Sequence, residues 1–477
     1  MDVELVMTSV NADGDGVATV QSRPVTVPGT IPGERVLARL HRAKDGSISG
    51  EPTRLLAPSP HRVTPCCRHF GACGGCAWQH IGYDEQLRLK QRIVERAVPR
   101  GVKVSPTLPT PSPGGDTPWG FRDKVSFVFG PGSREQPLVM GHYRRGSRTI
   151  LPVEECPVHA AAGNRLAFEL FGALARARVE AASPDGRVGV ARYVVARVSE
   201  HSGEVVGTLV ATENAKVLRR VTTDLEARIA PDLAAGNRAT VGFHLNLHDG
   251  PGPFLFGGET RRLFGLAEVR EQVGGVSYLV SPTAFFQTNV RAADVLVRLV
   301  LEALADPRFG RVLDLYAGVG LFALPLAKAG RTVTAVEENR DAMAGAAAAL
   351  RLNRIAAERC RLVAARVEDA RGGLPGDRRA SARRQPMRIA SGEWDAVVLD
   401  PPRQGCPPLV LDVVLRTLRP ARIVYVSCNP GALARDMAQV EPSGYRFERV
   451  QPVDMFPHTA HVETVVVLAR DGRAPRV

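Results

Sequence analysis

Long apolar runs are missing from this 477-residue chain, aromatic side chains are few, and no export-type leader is expected. No window approaches the roughly 20 apolar residues of a membrane-spanning helix, so a helical membrane protein is excluded. The opening MDVELVMTSVNADGDG sets acids early and no basic stretch ahead of an apolar one, which is not the pattern of a signal peptide. A cytoplasmic chain that does not engage membranes is expected, and there thiols stay reduced. Its eight cysteines then need a reason other than disulfides. Aromatics make up only 5 %, which argues against a broad stacking surface. Acids are outnumbered as well: 62 Lys and Arg face 49 Asp and Glu, for a net charge of +13. An excess of that sign favours a polyanionic partner, either nucleic acid or an anionic membrane surface. The length calls for two or three domains, because single cores rarely outgrow about 250–300 residues.

Three regions follow from the patterning. Residues 1–57 alternate short apolar runs with Gly and Pro, which suggests a small OB-like β-barrel, although the periodicity alone fits any small β-domain. Residues 58–284 begin with the cysteine-bearing stretch SPHRVTPCCRHFGACGGCAWQH and a helical segment, YDEQLRLKQRIVERAV. They continue through a Pro/Gly-rich loop into a strand-rich α+β domain with one helix near 160–175. Residues 285–477 repeat strand–helix–strand (VLDLY, VTAVE, RLVAA, WDAVVLD, RIVYVS), the signature of a doubly wound α/β sheet of Rossmann type. Residues 371–393 are Arg-, Ala- and Gly-rich without periodicity and read as a mobile insertion.

Within the last region VLDLYAGVGLF joins a strand, a glycine turn at Gly318 and Gly320, and a helix. Such a turn lies where doubly wound sheets bind ligands. Glu337 follows Gly318 by 19 residues at the end of the next strand, placed for ribose hydroxyls. The spacing is not G-x-G-x-x-G, and no basic residue waits in the turn for a pyrophosphate. That favours the cationic cofactor S-adenosylmethionine over a dinucleotide. Asp400 in LDPPRQG and Cys428 in VSCNPG both leave the carboxyl ends of buried strands, beside prolines that stiffen the loops. A thiol so placed becomes a nucleophile if neighbouring cations lower its pKa. Glu463 in HVETVVV is positioned as a general base. Separately, Cys67, Cys73 and Cys76 sit in a glycine-rich loop and need a fourth ligand, for which Cys156 is the candidate. Four thiolates suit either zinc or an iron–sulfur cluster.

Taken together, CRHFGACGGCAWQH, FRDKVSF, FFQTN, DLYAGVGLFALPLA, DPPRQG, VSCNPGALARD and FPHTAHVETV resemble the uracil-C5 RNA methyltransferases. The resemblance is to the bacterial branch that modifies large-subunit ribosomal RNA and carries an iron–sulfur cluster. It covers residue 67 to the C-terminus in the family's order, and residues 1–57 look like that branch's RNA-binding TRAM domain. It implies a class I methyltransferase that methylates carbon 5 of a uridine through a covalent cysteine adduct. Cys428 is then the nucleophile and Glu463 the proton-abstracting base. Gln287, Tyr316, Glu337 and Asp400 meet S-adenosylmethionine, and Cys67, Cys73, Cys76 and Cys156 hold a [4Fe–4S] cluster, with Cys66 a spare neighbour. RNA is the implied partner of a monomeric chain, held through phosphates by a basic surface that includes Arg122 and Lys124. Two departures stand out. Leu321 replaces a polar residue beside the methionine moiety, and around Arg366 the usual adenine contact is missing, leaving Glu368 or Asp369 to serve. A transfer-RNA target, a methyltransferase for another base, and a non-catalytic iron–sulfur RNA-binding protein are the alternatives.

Overall fold

The computed structural model describes residues 2–471 except 116, 136, 184, 187, 234–239, 251–254 and most of 370–393. Of the 371–393 insertion, only the short pairing of Leu374–Pro375 with Pro386–Met387 falls inside the described residues; its expected mobility falls outside them.

Six strands between Asp2 and Ala57 form one sheet. In Arg35–Arg42 the side chains Val36 and Ala38 turn inward while their neighbours do not, the period-2 alternation of a sheet with one buried face. Leu5, Met7, Val25, Val27, Val36 and Ala38 fill its small core. The sheet is tied to the chain that follows it. Buried Glu34 holds Arg62 through both nitrogens, at 2.5 and 2.8 Å, and Trp78 Nε1 donates to Gly14 O at 2.8 Å.

A second, seven-stranded sheet runs in the order 259–265, 241–247, 205–211, 191–198, 124–131, 138–143, 150–152. Two helices cover it, Ala161–Arg176 and Val217–Leu233, where the sequence suggested one. The second buries Leu218, Val221, Leu225 and Ile229, a stripe at near-heptad spacing. Pro231 and the Thr222–Thr223 pair weaken its helical signal in the sequence.

The third sheet carries seven strands: Arg311–Leu315, Thr332–Glu337, Cys360–Ala364, Ala396–Leu399, Arg422–Ser427, Tyr445–Val453 and Glu463–Arg470. Numbered one to seven along the chain, they lie in the order three, two, one, four, five, seven, six. The first five are parallel and the seventh is antiparallel to its neighbours. Most of their residues are buried and apolar, as expected of a sheet covered on both faces. A hairpin, Val269–Val273 with Val276–Val280, packs its apolar side into the same core as the helix Val290–Ala303. Its two-residue turn is Gly274–Gly275, at φ 58° and 70°. Both values are positive, as tight hairpin turns of this hand demand. The helix Tyr83–Glu95 joins the opposite face through Leu89, Ile93 and Val94. Its Lys90 is fully buried and paired with Asp454. No helix among the described residues is long and apolar enough to cross a membrane.

Candidate active site and cysteine cavity

Parallel strands of a doubly wound sheet deliver their carboxyl ends to one edge, where ligands bind. Tyr316 follows Leu315, Asp400 follows Leu399, and Cys428 follows Ser427, each one residue past a strand. Glu337 ends its own strand. Glu463 reaches the same edge from the other direction because it begins an antiparallel strand. Ser427 pairs with Thr464, so Cys428 and Glu463 are the next residues out on adjacent strands. Adjacent strands lie about 4.8 Å apart. Five residues proposed from the sequence thus converge on one edge. Gln287 lies on the loop between the hairpin and the helix Val290–Ala303, half-buried. That loop is pinned on both sides of it. Phe286 packs on Tyr278 with ring centres 5.3 Å apart, and Thr288 O accepts from Asp123 N at 2.7 Å. Phe285, just ahead of them, is 73 % exposed.

The glycine turn is held by Glu337. Its carboxylate accepts from Gly318 N at 3.0 Å and from Asn339 N at 2.8 Å. Tyr316 sits at φ 64°, a left-handed conformation costly for an aromatic residue. Its hydroxyl lies 3.3 Å from Glu368 Oε1. Glu368 is therefore at the site; the side chain of Asp369 lies outside the described residues. Arg366 lies between Glu338, at 3.6 Å, and Glu368, at 3.9 Å. Leu321 is buried in the hydrophobic core.

Burial dominates the electrostatics here. It pushes the Asp400 carboxyl up to about 7. Burial, with Asp400 beside it, pushes Glu463 up to about 8 against the pull of Arg403. The Cys428 thiol is pushed up to about 11, by burial first and then by Glu463 and Asp400. The expected lowering of this thiol by neighbouring cations is thus reversed by its protein surroundings. Arg403 is the one cation that draws it down, and two carboxylates and a dry wall outweigh it. The two loops are locked to each other. Asn429 caps the helix Pro430–Met437 with its carbonyl oxygen and donates its amide to Arg403 O at 2.9 Å. Behind them, Cys406 N and the Tyr425 hydroxyl both donate to Asp436, at 2.8 and 2.5 Å.

Two contributors were not anticipated. Arg403 follows the proline pair that drew attention to Asp400. Asp314 is fully buried in VLDLY, and neither carboxylate oxygen has a hydrogen-bond partner. Burial, with Asp400 next, holds its carboxyl well above the usual range. An acid in an otherwise apolar strand was the available signal.

The thiols form a second centre. Cys67, Cys73, Cys76 and Cys156 line one cavity of about 440 Å³ together with His142 and His159. Cys66 is exposed. Burial and the neighbouring thiols push Cys76 up to about 11 and Cys156 up to about 12. Ligand atoms of His142, Cys156 and His159 lie within 4.8 Å of one another. His142 Nε2 and His159 Nδ1 are buried without hydrogen-bond partners. Burial holds His142 down at about 4, so it is neutral and able to ligate. Four thiols and two neutral imidazoles fit a thiophilic metal centre. Arg122, expected on the RNA-facing surface, lines this cavity instead. Lys124 is half-buried with its ammonium 5.4 Å from the Phe256 ring centre, and burial lowers it to about 8.

Residues 268–471 match the family model described as tRNA (uracil-5-)-methyltransferase. An uncharacterized RNA methyltransferase of Gloeobacter violaceus is 35 % identical over 98 % of this chain and 96 % of that one. One from Halalkalibacterium halodurans is 31 % identical, with the same coverage. Among solved structures, the Pyrococcus abyssi tRNA (uracil-54, C5)-methyltransferase in complex with S-adenosyl-L-homocysteine is 27 % identical. It superposes with a TM-score of 0.73, covering 98 % of this chain and 99 % of its own.

Proposed function

The chain belongs to the uracil-C5 RNA methyltransferases, enzymes that depend on S-adenosylmethionine, and from that premise we propose that it methylates a uridine of ribosomal RNA through a covalent Cys428 adduct. The observation that carries the mechanism is the register that sets Cys428 and Glu463 side by side at the strand ends, with Asp400 close by. N-methylation of a base would not need a thiol there.

Carbon 5 of uracil is a poor nucleophile until something adds to carbon 6. The Cys428 thiol gives its proton to the neighbouring Asp400 carboxylate and its sulfur bonds to carbon 6, making an enolate. Carbon 5 then takes the methyl group from the sulfonium, and S-adenosylhomocysteine leaves as a neutral thioether. Glu463 removes the carbon-5 proton, the electron pair re-forms the 5,6 double bond, and the sulfur–carbon bond breaks. Splitting one hard step into easier ones is the gain from covalent catalysis. A positive sulfonium near Asp400 draws the raised thiol pKa down, so the nucleophile is made ready when both ligands are present. The target base must leave its stack to reach the half-buried Cys428 thiol, and exposed Phe285 offers it a ring to stack on. Gln287, Tyr316 and Glu337 are assigned to the cofactor. In the cavity, Cys67, Cys73, Cys76 and Cys156 would hold the [4Fe–4S] cluster, which orders this region and takes no part in methyl transfer. The N-terminal sheet is assigned the RNA-gripping role of a TRAM domain.

The ribosomal target rests on the four-cysteine loop combined with the N-terminal β-domain. A transfer-RNA target is the second reading, favoured by the end-to-end likeness to the archaeal tRNA enzyme. Mapping 5-methyluridine in both RNAs, with and without the gene, separates them. Glu463→Gln tests the mechanism: a methylated protein–RNA adduct should persist on a denaturing gel. Unlinked RNA and unimpaired turnover in that variant would sink it.

A further inference from the structure

Glu463 is delivered by the turn that spans residues 454–462, and that turn is gripped from several sides. Asp454 meets Lys90 and accepts from the Tyr83 hydroxyl at 2.8 Å. Asn289 Nδ2 donates to Met455 O at 2.9 Å, and Lys90 Nζ to Phe456 O at 3.0 Å. At its centre is His458, which is buried and has φ 65°. A side chain in the left-handed region persists only where its surroundings hold it there, and such outliers gather at functional sites.

What holds His458 comes from the cysteine region. Its carbonyl accepts from Ala77 N and Trp78 N, at 3.0 and 2.9 Å, the two residues that follow Cys76. Its own N–H donates to Gln86 Oε1 at 2.8 Å. Its ring stacks on Trp119, centres 4.0 Å apart and planes 14° from parallel, and Nε2 lies 3.1 Å from Pro118 O. From Trp119 the chain runs directly alongside Cys156: Gly120 N donates to Pro157 O and Arg122 N to Val158 O, each at 2.9 Å. The next residue, Asp123, donates to Thr288 O and accepts from Val290 N at 2.9 Å, bracketing the Gln287 loop.

We propose that His458 is a positioning residue that fixes Glu463 for proton abstraction and registers the cysteine loop against it. This rests on the reading of Glu463 as the base. The backbone bonds from Ala77 and Trp78 hold the turn in its left-handed geometry, and the ring clamps it to the segment leading to Asp123. When the Cys76 end moves, the turn loses two donors at once, and Glu463, five residues on, loses its fixed place. A displacement of an ångström is enough to slow a proton transfer strongly.

The test follows adduct release in the full-length protein. His458→Ala should accumulate methylated, covalently linked RNA and release it at least about tenfold more slowly than the unmodified enzyme. Binding of S-adenosylhomocysteine should change far less, to within about twofold, because His458 itself touches none of the residues assigned to the cofactor. His458→Asn, which tolerates the left-handed region and keeps a hydrogen-bonding side chain, should recover most of the release rate. Trp119→Leu, which removes only the stack, carries the test should His458→Ala fail to fold, and the same slow release is expected of it. Cys76→Ala should also slow release, and combining it with His458→Ala should add little, since both break one connection. Release at the unmodified rate in a folded His458→Ala or Trp119→Leu protein overturns the proposal, and full multiplication of the His458 and Cys76 effects overturns the link to the cysteine loop. Glu463→Gln is run alongside. If it traps no adduct, the assignment of the base fails; if it traps adduct and His458→Ala does not, only the positioning role fails.

Discussion

Two candidate sites in the chain are built around thiols, one at a strand end and one in a cavity, and they are built in opposite ways. Cys428 stands one residue beyond a parallel strand, opposite the start of an antiparallel one, so sheet register fixes its neighbours. Those neighbours are carboxylates and one arginine. Cys67, Cys73, Cys76 and Cys156 sit on loops and have sulfur and imidazole for company. Backbone bonds borrowed from other segments hold them, such as Gly74 N to Tyr143 O at 3.0 Å and Arg122 N to Val158 O. Burial raises the thiol pKa in both places. The difference lies in what each site can supply to offset it. A carboxylate-rich edge invites a cationic ligand and can move protons, whereas a ring of thiols invites a soft metal. Similar thiol chemistry therefore reads as turnover in one region and as scaffolding in the other.

The sharpest way to break this contrast is to delete one thiol from each centre. Cys428→Ala should lower methylation by on the order of 10³-fold or more, because the attacking atom is gone. S-adenosylhomocysteine binding, measured by calorimetry, should be nearly unchanged. Full activity in that variant would make the strand-end thiol a bystander. Cys156→Ser should do the reverse. Metal per chain should fall and the melting temperature drop, since bound metal is folding free energy. Residual methylation should exceed that of Cys428→Ala. Elemental analysis of anaerobically prepared protein tells iron from zinc. Loss of metal with no change in melting would deny the cavity its scaffolding role.

The strand-end site was largely legible in the sequence, for a physical reason. An apolar run that halts at an acid, a glycine pair or a cysteine beside proline marks both a buried strand and the edge where it ends. Glu337, Asp400 and Cys428 are visible in that way, whereas Tyr316 came only with the family resemblance. What remained hidden depends on contacts between distant segments. Nothing local to His142 and His159 says that they face Cys156. Nothing in FPHTA reveals a left-handed His458 bonded to Ala77 and Trp78. Asp314 and Arg403 were readable only as an acid in a strand and a base in a loop. The hairpin at 269–280 carries a clear Gly-Gly signal, yet that signal cannot say which core the hairpin joins.

Proton affinity offers a gentler probe of the same contrast. Glu463 is raised to about 8 from an ordinary value near 4.5. Between those two values the folded chain keeps a proton that the unfolded chain has lost. Stability should therefore fall as pH rises from about 4.5 through about 8, and level off above. Asp400, raised to about 7, acts in the same direction. Glu463→Gln has no proton to lose and should flatten part of that slope in denaturant unfolding. Adduct release should show the opposite trend in the unmodified enzyme, quickening up to about pH 8 as the base form fills. An unmodified enzyme whose release ignores pH between 6 and 8 would place the working base elsewhere.

The smallest expected effect concerns Tyr316. Its strained backbone holds the ring at the glycine turn, and its hydroxyl meets Glu368 at 3.3 Å, a long contact in a half-buried place. A hydrogen bond of that kind contributes only about 1 kcal/mol. Tyr316→Phe keeps the ring and the left-handed backbone and loses the hydroxyl's contacts, with Glu368 and with the Cys406 thiol. S-adenosylhomocysteine should bind roughly fivefold more weakly, with the maximal methylation rate nearly unchanged. Glu368→Gln should give a similar loss, and the double variant should be no worse than Tyr316→Phe alone, since both remove that bond. If the two losses multiply in full, the Tyr316–Glu368 contact has no part in cofactor binding, and each residue meets the ligand on its own.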